Sequence, residues 1–260
     1  EGAPAPRSGM TVVALLANPP REGLVGTAIA ESTPLSPAEA ADLYEAQFRD
    51  AVLAVDRSGG ELLVNYPDEE DLPAEYRTET SPEAELRTLV ADTLGGTDEV
   101  RFERQVGSSF GARAGNTVTH LLREEGADSV AVVTPTAPLL SRTIVDSAAM
   151  KLRTTEVVLG PSSNGRAYYA GFTEPIDFDG AFEAPALPTL AERGRDADRS
   201  VDFVEPSPSL ETGDDLLDVV PNLRARFAAE RVVPDYTAAF VHEKGLDVVV
   251  EDGEQRLVRD

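Results

Sequence analysis

The sequence predicts a three-layer α/β domain with a largely parallel sheet. Short apolar runs of strand type alternate with helix-period segments throughout residues 10–172, the pattern of strands linked by crossover helices. Gly or Pro marks most junctions. The chain has 260 residues, 41% of them hydrophobic, enough for one substantial core.

Met10–Ala17 (MTVVALLA) reads as a buried first strand. The loop NPPREGLVGTAIAESTPL follows. Ser36 then opens a helix, with Pro37 at its first position and Glu39 at capping-box spacing. Tyr44, Phe48, Ala51, Val52 and Val55 form its apolar stripe, and Gly59–Gly60 ends it. Glu61–Tyr66 is the second strand. Pro67–Ser81 reads as an acidic surface loop, in which the run Asp68–Asp71 is a solvated face. A helix from Ser81–Pro82 runs to about Leu94, closed by Gly95–Gly96. Glu99–Gln105 alternates and suits a strand near an edge. Ser108–Glu125 is a helix stopped by Gly126.

Residues 129–172 read as strand, loop, helix, strand, loop, strand: SVAVVTPTAPLL, RTIVDSAAMKL, TEVVLGPSSNGRAYYAGF. Beyond them Phe178–Pro188 is loop-like, Leu187–Arg195 a short helix and Ser200–Val204 a short strand. Asp214–Glu230 is a helix that must accommodate Pro221 with a kink or a break, and Tyr236–Lys244 is another. The tail LDVVVEDGEQRLVRD is a hairpin around Asp252–Gly253, a type I′ signal. Residues 1–9 lack the apolar core of a signal peptide and read as a tag or disordered tail. The expected organisation is that tail, an α/β domain over 10–245 and a hairpin over 246–260.

Composition excludes several function classes. The formal charge is −24, with 47 Asp and Glu against 23 Lys and Arg. That charge repels nucleic-acid backbones and anionic membranes, so neither is expected as a partner. No apolar run reaches the ~20 residues of a membrane span. The acidity fits a cytoplasmic, halophilic protein whose self-repulsion is screened by salt. With no Cys and only two His, a thiolate or histidine-rich metal site is excluded. His120 and His242 have no partner placed by sequence. There is no Walker phosphate loop, no G-x-S-x-G elbow and no dinucleotide fingerprint after the first strand. Ligands of open α/β sheets sit beyond the carboxyl ends of strands. The loops there, Thr134–Pro138 and Gly160–Arg166, contain no carboxylate.

Four segments carry a resemblance to a known family. They are Leu15–Phe48, Gln105–Gly115 (QVGSSFGARAG), Val132–Leu140 (VVTPTAPLL) and Val158–Phe172 (VLGPSSNGRAYYAGF); a weaker fifth is Ser209–Val219 (SLETGDDLLDV). Together they resemble the radical-SAM/selenodomain-associated transferases, GT-A-like relatives of nucleotide-sugar glycosyltransferases and nucleotidyltransferases. The resemblance spans about residues 11–219 and implies a three-layer GT-A-like fold with a mostly parallel mixed sheet, extended here by the C-terminal hairpin. It also implies a nucleotide or nucleotide-sugar ligand, with Mg or Mn held by carboxylates.

This chain departs from the family at those carboxylates and cations. The family's Lys-Thr-Arg is Gly26-Thr27-Ala28. Its strand-end Asp is Thr136, the Asp of its Asp-Gly-Gly is Asn164, and the second of those glycines is Arg166. Two Asp of the last motif fall at Ser209 and Glu211. A hard divalent ion needs carboxylate oxygens, so no resident metal is expected.

The ligand-binding candidates are Asn18, Arg21, Gly23, Thr27, Gly107, Arg113, Thr136, Asn164, Gly165, Arg166 and Glu211. Arg166, with Arg21 and Arg113, either replaces the cation in binding a phosphorylated ligand or is an exposed arginine on a turn. Gly107, Gly111 and Gly115 either open a helix start to phosphate or permit close packing. The expected function is nucleotide or nucleotide-sugar binding by a transferase relative. The alternative is a catalytically inactive homologue with a regulatory or scaffolding role. Sequence leaves oligomeric state open.

Overall fold

A computed structural model of the chain describes residues 9–259. The expected tail over residues 1–9 lies outside these except for Gly9, whose N–H reaches Asp128 Oδ2 at 2.8 Å.

Seven strands form one mixed sheet. In chain order they are β1 (Thr11–Leu16), β2 (Glu61–Tyr66), β3 (Arg101–Arg104), β4 (Ser129–Val133), β5 (Val157–Pro161), β6 (Ala167–Phe172) and β7 (Val201–Phe203). Their spatial order is β3-β2-β1-β4-β6-β5-β7. All neighbours are parallel except β6, which runs antiparallel to both β4 and β5. β1 is buried along its whole length, as a central strand covered on both faces must be. Val12 lies beside Val130 and Glu61, and the alternation of the strand sends its side chains to opposite faces.

The helices are α1 (Thr27–Ser32), α2 (Pro37–Asp56), α3 (Pro82–Leu94), α4 (Phe110–Arg123), α5 (Arg142–Lys151), α6 (Ala186–Asp196), α7 (Gly213–Ala228) and α8 (Asp235–Glu243). Val13 and Leu15 pack with α2, α3 and α5 through Phe48, Leu86 and Val145. Val12, Ala14 and Leu16 pack with α4 and α6 through Val118 and Leu190. These two apolar layers around the sheet make the three-layer architecture. A third core joins α1, α2, α7, α8 and the hairpin around Leu43, Leu216 and Phe240.

Local chemistry explains most boundaries. Ser36 Oγ accepts from Glu39 N, and Glu39 Oε2 accepts from Ser36 N at 3.0 Å, the full capping box. Asp50, buried on α2, accepts the N–H groups of Tyr236 at 3.0 Å and Thr237 at 2.7 Å and so pins the start of α8. The hairpin strands β8 (Leu246–Glu251) and β9 (Glu254–Arg259) join through Asp252 and Gly253, with φ of 53° and 86°, the left-handed pair a type I′ turn requires. Glu39 also draws Arg259 at 2.8 Å and Lys244 at 3.4 Å, tying the hairpin base to α2.

Two expectations are corrected. The segment after β1 is not one continuous loop, because Thr27–Ser32 forms α1, entered through left-handed Gly26 (φ 65°). A Cβ at that glycine would stand 2.8 Å from the Ala40 carbonyl oxygen. The helix with Pro221 continues through it without a break; α7 is one element.

Candidate functional site

A cleft of about 390 Å³ opens at the carboxyl ends of β1 and β4, beside the start of β6. Its apolar lining includes Leu16, Val132, Phe110, Tyr168 and Phe182. Phe110 and Phe182 meet edge to face with centroids 5.2 Å apart, a stable aromatic geometry. Its polar rim comprises Asn18, Thr134, Thr136, Arg166 and Glu211. The backbone N–H of Asn18 donates to the Tyr44 hydroxyl at 3.0 Å, fixing the turn after β1. The hydroxyls of Thr134 and Thr136 lie 2.8 Å apart, and Thr136 Oγ1 donates to Glu211 Oε1 at 3.4 Å.

Arg166 is held in this rim by Asp215. Its Nη1 donates to Asp215 Oδ2 at 2.9 Å, and its Nη2 donates to Asp215 Oδ1. Glu211 lies 3.5 Å from Nη1. Asp215 Oδ2 also accepts from Glu211 N at 3.0 Å, Thr212 N at 2.9 Å and Thr212 Oγ1 at 3.0 Å. This carboxylate therefore caps α7 and fixes the guanidinium together. Burial pushes Asp215 upward, but the Arg166 fork and the N–H groups of Glu211 and Thr212 outweigh it and hold the carboxyl below its ordinary value. Asp215 draws the Arg166 guanidinium still further toward its charged form.

Of the eleven sequence candidates, the cleft brings together Asn18, Thr136, Arg166 and Glu211. Arg21 lies outside the cleft lining. It is buried, and donates to Glu69 at 2.8 Å, Glu85 at 2.6 Å and the carbonyls of Tyr76 at 2.6 Å and Thr80 at 2.8 Å. Those partners engage its donors in anchoring the 69–85 segment, so it does not join Arg166 at a phosphate. Gly23 packs beneath Tyr76, where a Cβ would meet Cε1 at 3.0 Å. Thr27 is an exposed residue at the start of α1. Arg113 lies on the first turn of α4 outside the cleft lining, half-buried, with its Nε enclosed and unpaired. Burial lowers its affinity for a proton. Of Arg21, Arg113 and Arg166, only Arg166 lines the cleft.

The glycine stripe resolves as packing. A Cβ at Gly115 would stand 2.7 Å from Phe178 Cβ, and one at Gly111 would stand 3.0 Å from the Phe178 carbonyl oxygen. The Phe178 loop rests on α4 there. Gly107 (φ 140°) makes the tight entry to α4, where a Cβ would stand 2.8 Å from Arg113 N. Asn164 and Gly165 form a left-handed turn with φ of 58° and 71°, outside the cleft lining.

Sequence reasoning missed Asp215, Tyr44, Phe110, Tyr168 and Phe182. Asp215 stands four residues beyond Glu211 in the weakest motif, where capping-box spacing from Thr212 was the available signal. The observation that the strand-end loops lack carboxylates remains true of those loops. The acids of this site come instead from α7 and the residues before it.

The donor set does not fit a divalent metal. Among the described residues Glu211 is the carboxylate lining the cleft, and Asp215 is already committed, its Oδ2 to Arg166, Glu211 N, Thr212 N and Thr212 Oγ1 and its Oδ1 to Arg166. Among the described residues no group of three or more His, Asp or Glu could hold a metal ion. A magnesium-type site calls for carboxylates free to ligate.

This architecture, with its cleft at the carboxyl ends of a mixed sheet, defines a fold of the nucleotide-diphospho-sugar transferase type. A Desulfovibrio desulfuricans G20 protein, provisionally named a nucleotide-diphospho-sugar transferase, superposes with a TM-score of 0.73 at 22% identity, covering 90% of this chain and 94% of that one. A Leptospira borgpetersenii cytidylyltransferase matches at 10% identity, with coverage of 90% and 94% and a TM-score of 0.49. A 4-diphosphocytidyl-2C-methyl-D-erythritol synthase from Anaerococcus prevotii matches at 11% identity, with coverage of 83% and 97% and a TM-score of 0.47. Within the chain, residues 76–184 match a family described as an uncharacterized protein conserved in bacteria, DUF2064. No curated protein matches the chain. The Desulfovibrio superposition carries the fold; nothing in these comparisons carries the radical-SAM or selenodomain association. No helix among the described residues is long and apolar enough to cross a membrane.

Proposed function

We propose that this protein binds a nucleotide or nucleotide-sugar in the cleft beside β1 and β4, with Arg166 in place of a divalent metal facing the phosphates. The base and ribose would lie against the apolar wall of Phe110, Tyr168 and Phe182. The single observation that carries the reading is Arg166 itself. Among the described residues it is the one cationic side chain in the cleft lining, and Asp215 holds it in a bidentate fork. A guanidinium placed in this way offers directed donors to a phosphate without reorganisation. Glu211, with its side chain 43% exposed, is the acid an incoming phosphate would displace. Any transfer would proceed without a metal step, with Thr136 orienting the ligand, in a cytoplasmic, high-salt setting.

Thermal shift against nucleoside diphosphates and their sugars, in multimolar KCl with EDTA, tests this reading. Wild type is expected to gain Tm by ligand linkage, and Arg166→Ala is expected to lose most of that gain. An equal gain in Arg166→Ala would overturn the role of Arg166.

A second reading is favoured by the charge of the same cluster. Glu211 and Asp215 outnumber Arg166, so the three-residue cluster carries net negative charge before any phosphate arrives. This favours a catalytically inactive homologue with a regulatory or scaffolding role. No thermal shift with any nucleotide, with or without Mg or Mn, is the result that reading predicts.

A further inference from the structure

The C-terminal hairpin has one open edge, and its pattern fits a second copy of the same edge. Glu251 and Glu254 flank the two-residue turn, and the register continues through Val249↔Arg256 and Asp247↔Val258 to Leu246↔Arg259. Residues beside a two-residue turn exchange both ladder hydrogen bonds, and the pairs then alternate. Gln255, Leu257 and Arg259 therefore turn their backbone N–H and C=O groups away from β8. Among the described residues no strand pairs with the outer side of β9. An exposed strand edge of this kind is a template for pairing with another chain.

Two other edges each have one outward donor already taken. On β8 the outward N–H of Val248 is taken by Asp247 Oδ1 at 2.7 Å. On β7 the N–H of Phe203 is taken by Asp202 Oδ1 at 2.7 Å. An aspartate that accepts from the next residue's outward N–H removes the donor a visiting strand would need. β9 carries no aspartate within Glu254–Arg259. In a chain of charge −24, β9 is also one of the few stretches with more Arg than acid.

We propose that β9 pairs antiparallel with β9 of a second copy about a two-fold axis through Leu257, forming a four-stranded sheet. This register sets Gln255 against Arg259 and Arg256 against Val258, so no like charges stand directly opposite. It sets Leu257 against Leu257 on the face that already packs on the third core. Such an interface is isologous and closes at two subunits.

The chain has no cysteine, which makes cross-linking unambiguous. Residues of a hydrogen-bonded antiparallel pair have Cα atoms about 5.5 Å apart, within disulfide reach. Leu257→Cys is expected to oxidise in multimolar KCl to a covalent dimer, while Val250→Cys on β8, outside the proposed seam, stays monomeric. Wild type is expected to sediment at the two-chain mass. Gln255→Pro, which removes one outward donor from an exposed residue, is expected to sediment as a folded monomer. A wild type that stays monomeric up to high micromolar concentration would overturn the proposal. So would a Leu257→Cys protein that forms no disulfide-linked pair, which keeps the test decisive should Gln255→Pro fold poorly.

Discussion

Replacing Asp215 by Asn tests the pair that organises the cleft. The side chains of Asp215 and Arg166 are only 5% and 15% exposed, so neither charge is well solvated. Asparagine keeps the size but turns an amide toward groups that all donate: Arg166, Glu211 N, Thr212 N and Thr212 Oγ1. Removing one partner of a buried ion pair costs about 3–5 kcal/mol, and loss of a helix cap about 1 kcal/mol. These terms share one carboxylate and do not add. Glu211, at 3.5 Å from Nη1, compensates part of the charge, so a loss of about 3 kcal/mol is expected. For a chain of this size that lowers Tm by about 6–12 °C. Urea denaturation in multimolar KCl is the assay.

The pH dependence has a defined sign. The folded Asp215 carboxyl lies below its unfolded value of about 3.9. Its contribution is therefore complete above that value and is lost as pH falls through the folded one. Asp215→Asn should lack that part of the acid limb. Arg166→Met with Asp215→Leu should be more stable than Asp215→Asn, because no buried charge is left unpaired, while the lost cap of Glu211 N and Thr212 N keeps it about 1 kcal/mol or more below wild type. A loss below about 1 kcal/mol in Asp215→Asn, or a double variant weaker than it, would refute the pairing argument.

Other outcomes follow from separate parts of the molecule. Gly115→Ala places a methyl 2.7 Å from Phe178 Cβ and should cost about 1–3 kcal/mol by overpacking, measured by urea midpoint. Glu39 is held down to about 2, first by the Ser36 N–H and then by Arg259. Its contribution is present above about pH 4.5 and lost as pH falls toward 2. Glu39→Gln should therefore flatten the stability profile across that window and cost about 1 kcal/mol at neutral pH. Lowering salt from multimolar to about 0.1 M lengthens the screening distance severalfold and should lower Tm through self-repulsion; an unchanged Tm would remove the halophilic reading.

Elements whose cause is local were legible in the sequence. Ser36, Pro37 and Glu39 announce α2 because the capping box is made within one turn, and Asp252–Gly253 announces the hairpin because only left-handed residues close it. The alternation of strands and helices gave the layers. α1 was missed because it is six residues long and enters through Gly26, so its periodicity is too short to register. The site was legible only in part. Asn18, Thr136, Arg166 and Glu211 sit at strand ends or in motif positions, whereas Arg21 pairs with Glu69 and Glu85 across separations of 48 and 64 residues. No local pattern encodes that distance. Asp215 likewise meets Arg166 across 49 residues, and what sequence offered there was a cap.

The most direct test of the account is calorimetric titration of a nucleoside diphosphate into wild-type protein in multimolar KCl, once with EDTA and once with magnesium. The account predicts saturable binding that EDTA leaves intact. Binding that appears only with the metal would contradict it.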